Sequence, residues 1–158
     1  MEFNIKKYAF GHRPPVQLPS PEFYKQLGES GIRQLVSRQY DLLRQSAIKN
    51  LFAIDDEQFN LSKQHSADFM IQICGGPDYF NQHRGNPMMS KRHAPFKITP
   101  EGRVVWLTCY KQALSELHLP ENLIESFWNY LHAFSAWMVN NPSLSIEIKD
   151  IKNKLPNV

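Results

Sequence analysis

The 158-residue chain predicts an all-α fold, and three observations carry that prediction. Apolar residues recur at three- and four-residue steps in several windows, the spacing that aligns side chains on one face of a helix. No alternating apolar–polar run of useful length, the mark of a half-buried strand, occurs in the sequence. Helix punctuation is dense: Ser20-Pro21-Glu22 and Thr99-Pro100-Glu101 read as starts, Gly75-Gly76-Pro77 and Asn140-Asn141-Pro142 as stops. With 42% hydrophobic and 12% aromatic residues there is enough apolar surface for a core, and the length predicts one domain.

Residues 1–20 hold Pro14, Pro15 and Pro19, show no usable periodicity and read as an extended arm. Ser20 then caps a short helix with Pro21 at its first position, ending near Gly28. A second helix from about Ser30 sets Ile32, Leu35, Val36, Gln39, Tyr40 and Leu43 on one face, so Tyr40 points inward with the aliphatics. After Leu51-Phe52 and the acidic connection Asp55-Asp56-Glu57, a third helix runs to Gly75. Its apolar positions are Phe59, Phe69, Met70, Ile73 and Cys74, and its near end, Ser62 to Ser66, is polar. From about Gly75 to Arg92 the chain reads as a long irregular segment, and such a segment inside a compact domain usually carries function. Pro95 biases Ala94 away from helical angles, so His93 is expected at the last turn of a short helix.

Thr99 caps a fourth helix whose inward face runs Val105, Trp106, Cys109, Tyr110, Ala113, Leu114 and Leu117. Pro120-Glu121 opens the last one, with Ile124, Phe127, Trp128, Leu131, Phe134, Trp137 and Met138 as a broad apolar stripe. The organisation expected is therefore an arm over 1–20, one domain over 21–142 and a polar tail over 143–158.

The formal charge of +3 does not predict nucleic-acid binding. The surplus lies in residues 1–20, at Lys6, Lys7 and Arg13, and in residues 143–158, which leaves 21–142 neutral, whereas a duplex-binding module needs a basic face on its folded part. Both basic ends are expected to be solvated. Cys74 and Cys109 are too few for a disulfide framework and fall on apolar helical stretches, so reduced core thiols are expected. The first residues contain no signal-peptide apolar region and no run of eighteen apolar residues occurs, so the expectation is a cytoplasmic protein without a membrane partner.

One ordered set stands out: Gly75-Gly76-Pro77, the aromatic pair Tyr79-Phe80, the Gly85-Asn86-Pro87 turn, Arg92-His93-Ala94-Pro95-Phe96, and Trp106 thirteen positions after the histidine. Each piece alone is ordinary. His93 could be a solvated loop residue, and a Trp or Tyr on an apolar helical face is usually core. In this order the set resembles the truncated haemoglobins, specifically their second group, over roughly residues 24–140. The resemblance implies a truncated globin-like two-over-two helical sandwich around haem b (iron protoporphyrin IX), with His93 as the proximal iron ligand and Trp106 facing the bound gas. It implies Tyr40, Phe52, Ser62 and Ser66 as the rest of the distal pocket, Phe52 standing where many members carry Tyr. It implies Arg92 and Tyr79 as partners of the haem propionates, and Phe69 and Met70 as further haem contacts. Two departures are visible. Gln39 replaces the aromatic residue that commonly precedes the inward Tyr, and Ser66 is smaller than expected, leaving room for a larger ligand or a water. His65 matches a position near the haem edge rather than the gas-facing one.

Haem iron takes a neutral imidazole nitrogen, and the second ring nitrogen usually donates to a carbonyl that fixes the ring. A pre-positioned donor in a dry pocket stabilises a gas ligand that draws electron density outward; Trp106 can donate only through its indole N–H, Tyr40 through its hydroxyl. The function expected is reversible binding of O2, NO or CO. The same residues would serve an NO-detoxifying enzyme with a reductase partner, or a peroxidase-like one, and the sequence does not separate these. The alternative is a haem-free globin-fold interaction or sensor module presenting the stripe around Trp128 and Trp137. A serine hydrolase built on Ser62 or Ser66 is set aside for want of a strand-to-helix nucleophile elbow.

Overall fold

Three of the four long helices begin on a side-chain cap that satisfies a backbone N–H left without an intrahelical partner. Ser20 Oγ accepts from the Glu22 amide, Asp55 from that of Gln58 and Thr99 Oγ1 from that of Gly102. The structure, a computed structural model, describes residues 1–142. Its helices are α1 (Pro21–Arg44), α2 (Asp56–Ile73), α3 (Tyr79–Arg84), α4 (Met89–His93), α5 (Pro100–Ser115) and α6 (Glu121–Met138), with a 3-10 turn at Lys49–Leu51. No strand occurs among the described residues, and none of their helices is long and apolar enough to cross a membrane. The tail expected over 143–158 lies outside the described residues.

The two helices expected on either side of Gly28 form one bent element. Gly28 has φ 76° and ψ 169°, angles essentially reserved for glycine, and the helix resumes at once in a new direction. At the end of α2, a Cβ on Gly76 would lie 2.6 Å from Ile71 Cγ2 and 2.9 Å from the Tyr24 ring. Only glycine lets the chain leave α2 so close to α1.

The segment expected to be irregular from Gly75 to Arg92 contains α3 and α4. Elements of six and five residues are too short to show helical periodicity. They are held by specific contacts instead: Gln72 exchanges hydrogen bonds with Asn81 at 3.0 and 3.1 Å, and Phe80 is buried edge-on against Phe69.

α1 packs on α2, α5 packs on α6, and α1 crosses α5 and α6, which is the two-over-two sandwich. The shared core includes Ile32, Val36, Leu107, Leu114 and Leu131. Phe23 and Phe127 stack at 4.6 Å, fastening the start of α1 to the middle of α6. Burying each such ring stabilises the fold by about 1.5–3 kcal/mol. Cys74 and Cys109 are free and buried, and burial pushes the Cys74 thiol up to about 12.

The N-terminal arm differs from the expected solvated end. Phe3 meets Trp128 edge-on at 5.2 Å, the Lys6 amide donates to His132 Nε2 at 2.8 Å, and Trp137 Nε1 donates to the Pro14 carbonyl at 2.7 Å. Phe3 and Ile5 pack against the core, one edge of an extended strap too short to register as a pattern. Arg103, almost wholly buried, joins arm to core by donating to the Lys6 and His132 carbonyls and to Ser135 Oγ.

Candidate functional site

Between α2, α4, α5 and α6 lies a cavity of about 660 Å³, closed on one side by the connection through Phe52. Binding cavities for small molecules and cofactors run to about 300–1,000 Å³. Tyr40, Phe52, Ser62, Ser66, Phe69, Met70, Arg92, His93 and Trp106 all line it. Tyr79, the remaining candidate, does not. Its hydroxyl donates to Glu29 Oε2 at 3.2 Å, and the Arg33 guanidinium lies over its ring at 5.8 Å. Opening α3 directly after Asp78 turns its side chain towards α1, away from the cavity.

His93 ends α4, one turn after Met89. Its Nδ1 is 2.7 Å from the Met89 carbonyl. A carbonyl oxygen can only accept, so Nδ1 carries the proton and Nε2 is left with its lone pair. That is the tautomer required of a metal ligand, fixed by the backbone of its own helix. Met88, just before α4, has φ 39°, a left-handed conformation that costs a non-glycine residue about 1–3 kcal/mol.

Across the cavity, burial raises the Tyr40 phenol above its ordinary value, an effect that the neighbouring Ser66 hydroxyl opposes. Phe52 and Phe59 pin the Tyr40 ring at 5.5 and 5.7 Å. Trp106 is held edge-on by the buried Tyr110 at 4.9 Å. Gln39, the residue that departs from the expected aromatic, is fully buried and directs its amide to the Trp106 carbonyl at a long 3.5 Å, so it abuts the same wall.

The structure adds cavity residues that the sequence did not single out. Arg84 and Arg103 line it with Arg92, and among the described residues no Asp or Glu does, so every ionisable side chain they place on its wall other than Tyr40 is a cation or an imidazole. Arg92 itself is committed to backbone: Nε donates to the Pro87 carbonyl at 2.6 Å and Nη2 to those of Arg84 and Asn86. It staples the α3–α4 connection, which leaves Arg84 as the less engaged guanidinium. His65 also lines the cavity, with a buried Nδ1 that has no hydrogen-bond partner among the described residues. Desolvation first, then Arg84, keeps its imidazole below the ordinary histidine value. Neither Arg84 nor Arg103 belongs to a motif, and a lone arginine on a helix gives no sequence signal of what it meets.

An apolar body with broad aromatic walls, anionic groups for the arginines and a metal for a neutral imidazole lone pair describe one ligand class, a metalloporphyrin with carboxylate side chains. The residues present fit haem.

Comparison with known proteins agrees. Residues 22–140 match the bacterial-like globin family. Group 2 truncated haemoglobin YjbI of Bacillus subtilis (strain 168) is 33% identical over 119 residues, covering 74% of this chain and 87% of that protein. Among solved structures, phosphate-bound Hell's gate globin IV superposes with a TM-score of 0.81 at 34% identity, covering 94% of this chain and 98% of that one. The group II truncated haemoglobin of Bacillus anthracis gives 0.71 at 29% identity, covering 83% and 98%. The chain belongs to the bacterial-like globin family, as a group II truncated haemoglobin with the haem-binding role of a globin.

Proposed function

We propose that the chain binds a diatomic gas, O2 or in its place NO or CO, reversibly at haem b held by His93, in a cytoplasmic globin whose haem-binding unit is residues 21–142. The observation that carries this reading is the His93 imidazole, its Nδ1 held by the Met89 carbonyl so that Nε2 keeps its lone pair, lining the same cavity as an indole and a phenol. Haem supplies the iron that takes the gas. His93 donates the Nε2 lone pair, and its bond to the Met89 carbonyl raises ligand basicity while preventing the ring from turning.

Trp106 and Tyr40 act as fixed donors to charge that accumulates on the gas, in a wall of low dielectric where a hydrogen bond is worth more than in water. Ser66 lines the cavity with Tyr40 and adds a small hydroxyl to the same wall. Phe52, Phe69 and Met70, which line the cavity, would exclude water from a bound macrocycle, and the small Ser62 would leave room for the gas. Arg84, with Arg92 beside it on the cavity wall, would pair with the carboxylates of the cofactor. A relative from Bacillus subtilis is described as an oxygen-avid haemoglobin, which supports oxygen as the gas.

Stopped-flow release of O2 from the ferrous protein tests the reading: slow release, accelerated when either donor is removed, is expected. Fast release indifferent to both donors would contradict it. Multiple turnovers of NO with a supplied reductase, rather than a single stoichiometric reaction, would instead make the protein an NO-detoxifying enzyme using the same residues.

A further inference from the structure

The wall of the cavity that carries His93 is a short length of chain, residues 93–98, in which His93, Phe96 and Ile98 all face the cavity. Within itself this segment makes one backbone bond of note, from the Phe96 amide to the His93 carbonyl at 3.0 Å. Pro95 has no N–H to contribute. Asn140, two residues beyond the end of α6, fastens the segment to that helix. Its Nδ2 donates to the His93 carbonyl at 3.2 Å and to the Phe96 carbonyl at 2.8 Å. Its Oδ1 accepts from the Ile98 amide at 3.0 Å, and its own backbone amide donates to the Ile98 carbonyl at 3.0 Å. Asn141 completes the arrangement, its amide donating to the Ile98 carbonyl at 3.1 Å and its Nδ2 to Asn140 Oδ1 at 2.6 Å.

From this geometry we infer that Asn140 is a positioning residue for the iron ligand, a clamp that sets where the imidazole of His93 stands relative to α6; the inference rests on the reading of His93 as that ligand. The two ends of the residue are fixed independently. The Met89 carbonyl fixes the rotation of the ring, through Nδ1, and Asn140 fixes the backbone from which the ring projects, through the His93 carbonyl. An asparagine suits the position because one flat amide presents donors to two carbonyls and an acceptor to an amide. Aspartate can keep only the acceptor.

The clamp also couples the ligand to α6. Phe134, Ser135 and Met138 on that helix line the same cavity, so a shift of α6 is passed to the His93 carbonyl through the Asn140 side chain. Asn140 touches neither cofactor nor gas in this role. It acts through His93.

The test uses the haem-loaded full chain, reduced and free of gas, and reads the iron–histidine stretching band by resonance Raman together with the rate of haem transfer to an acceptor globin. Asn140→Ala is expected to broaden the band and lower its frequency, and to speed haem loss about ten-fold, equivalent to about 1.4 kcal/mol. Asn140→Asp keeps the acceptor for Ile98 and loses both donors. It is expected to disturb the band at least as much as Asn140→Ala, because a carboxylate oxygen would face two carbonyls. If both variants keep the parent band and haem-loss rate while His93→Gly loses the band, the clamp is overturned and the ligand reading stands. If Asn140→Asp alone behaves like the parent, Asn140 serves only to anchor Ile98 and the inference is overturned. If His93→Gly retains the band, the ligand reading itself fails and the inference falls with it.

Discussion

Replacing Trp106 by phenylalanine removes one N–H donor and keeps an aromatic ring against Tyr110 and Phe134. A hydrogen bond to a charged group contributes about 1.5–3 kcal/mol, and about 1.4 kcal/mol corresponds to a factor of ten. Full loss of that contribution would therefore speed oxygen release roughly ten- to a hundred-fold. The structure argues for the lower part of that range. Tyr40 lines the same cavity and its ring is held by Phe52 and Phe59, so a second donor remains when the indole is gone. About ten-fold is the expected change for Trp106→Phe, and Tyr40→Phe on top of it should exceed the product of the two single effects, since each donor covers for the other. The assay is displacement of O2 by excess CO in a stopped-flow instrument, with thermal melting of the same samples as a control for folding. An off-rate unchanged in Trp106→Phe and in the double variant, with melting unchanged, would refute the assignment of both donors.

Three further outcomes follow from the geometry. The nitrogen of His132 that accepts the Lys6 amide must be unprotonated, and burial, then Arg103 and Lys6, lower its proton affinity in the fold. The unfolded chain takes that proton near the ordinary histidine value of about 6.5; the contact therefore stabilises the fold fully above that pH and fades as pH falls through the lower folded value. Melting temperature against pH should show this loss, and His132→Gln should flatten it; an unaltered profile would contradict the arm contact. Asp68, almost wholly buried, accepts from Arg33 at 2.8 Å and pairs with His83 at 2.8 Å. Because both partners reach solvent, Asp68→Ala should cost about 1–3 kcal/mol, which for a chain of this size lowers the melting temperature by a few degrees; no change would mean the carboxylate is not a hub of these contacts. Arg84→Leu should weaken haem retention several-fold at low salt and less at high salt; a loss independent of salt would point to packing rather than to a carboxylate partner.

Much of this was legible in the residues. Caps at Ser20 and Thr99, the break at Gly28 and the stop at Gly75-Gly76-Pro77 are local effects, decided by one or two side chains and a backbone angle. The inward direction of Tyr40 follows from helical spacing alone. What was not legible depends on pairs distant in sequence. Nothing in the sequence shows that Arg92 is held by three backbone carbonyls of its own loop. Tyr79 turned to Glu29, fifty positions away, and the arm found α6 through Phe3 and Lys6, more than a hundred positions from their partners. Asn140 read as a helix stop, and its side chain proved to hold the loop of His93. Neither the periodicity nor a motif contains such information, because hydrogen-bond partners of this kind are set by where rigid helices end in space.

The most direct measurement is the absorption spectrum of the reduced protein under carbon monoxide, taken for the parent chain and for His93→Gly with and without added imidazole. The account predicts a sharp Soret band for the parent, its loss with the haem in the glycine variant, and its return when free imidazole fills the vacated place. A parent chain that takes up no haem, or a glycine variant that keeps the parent spectrum without imidazole, would contradict it.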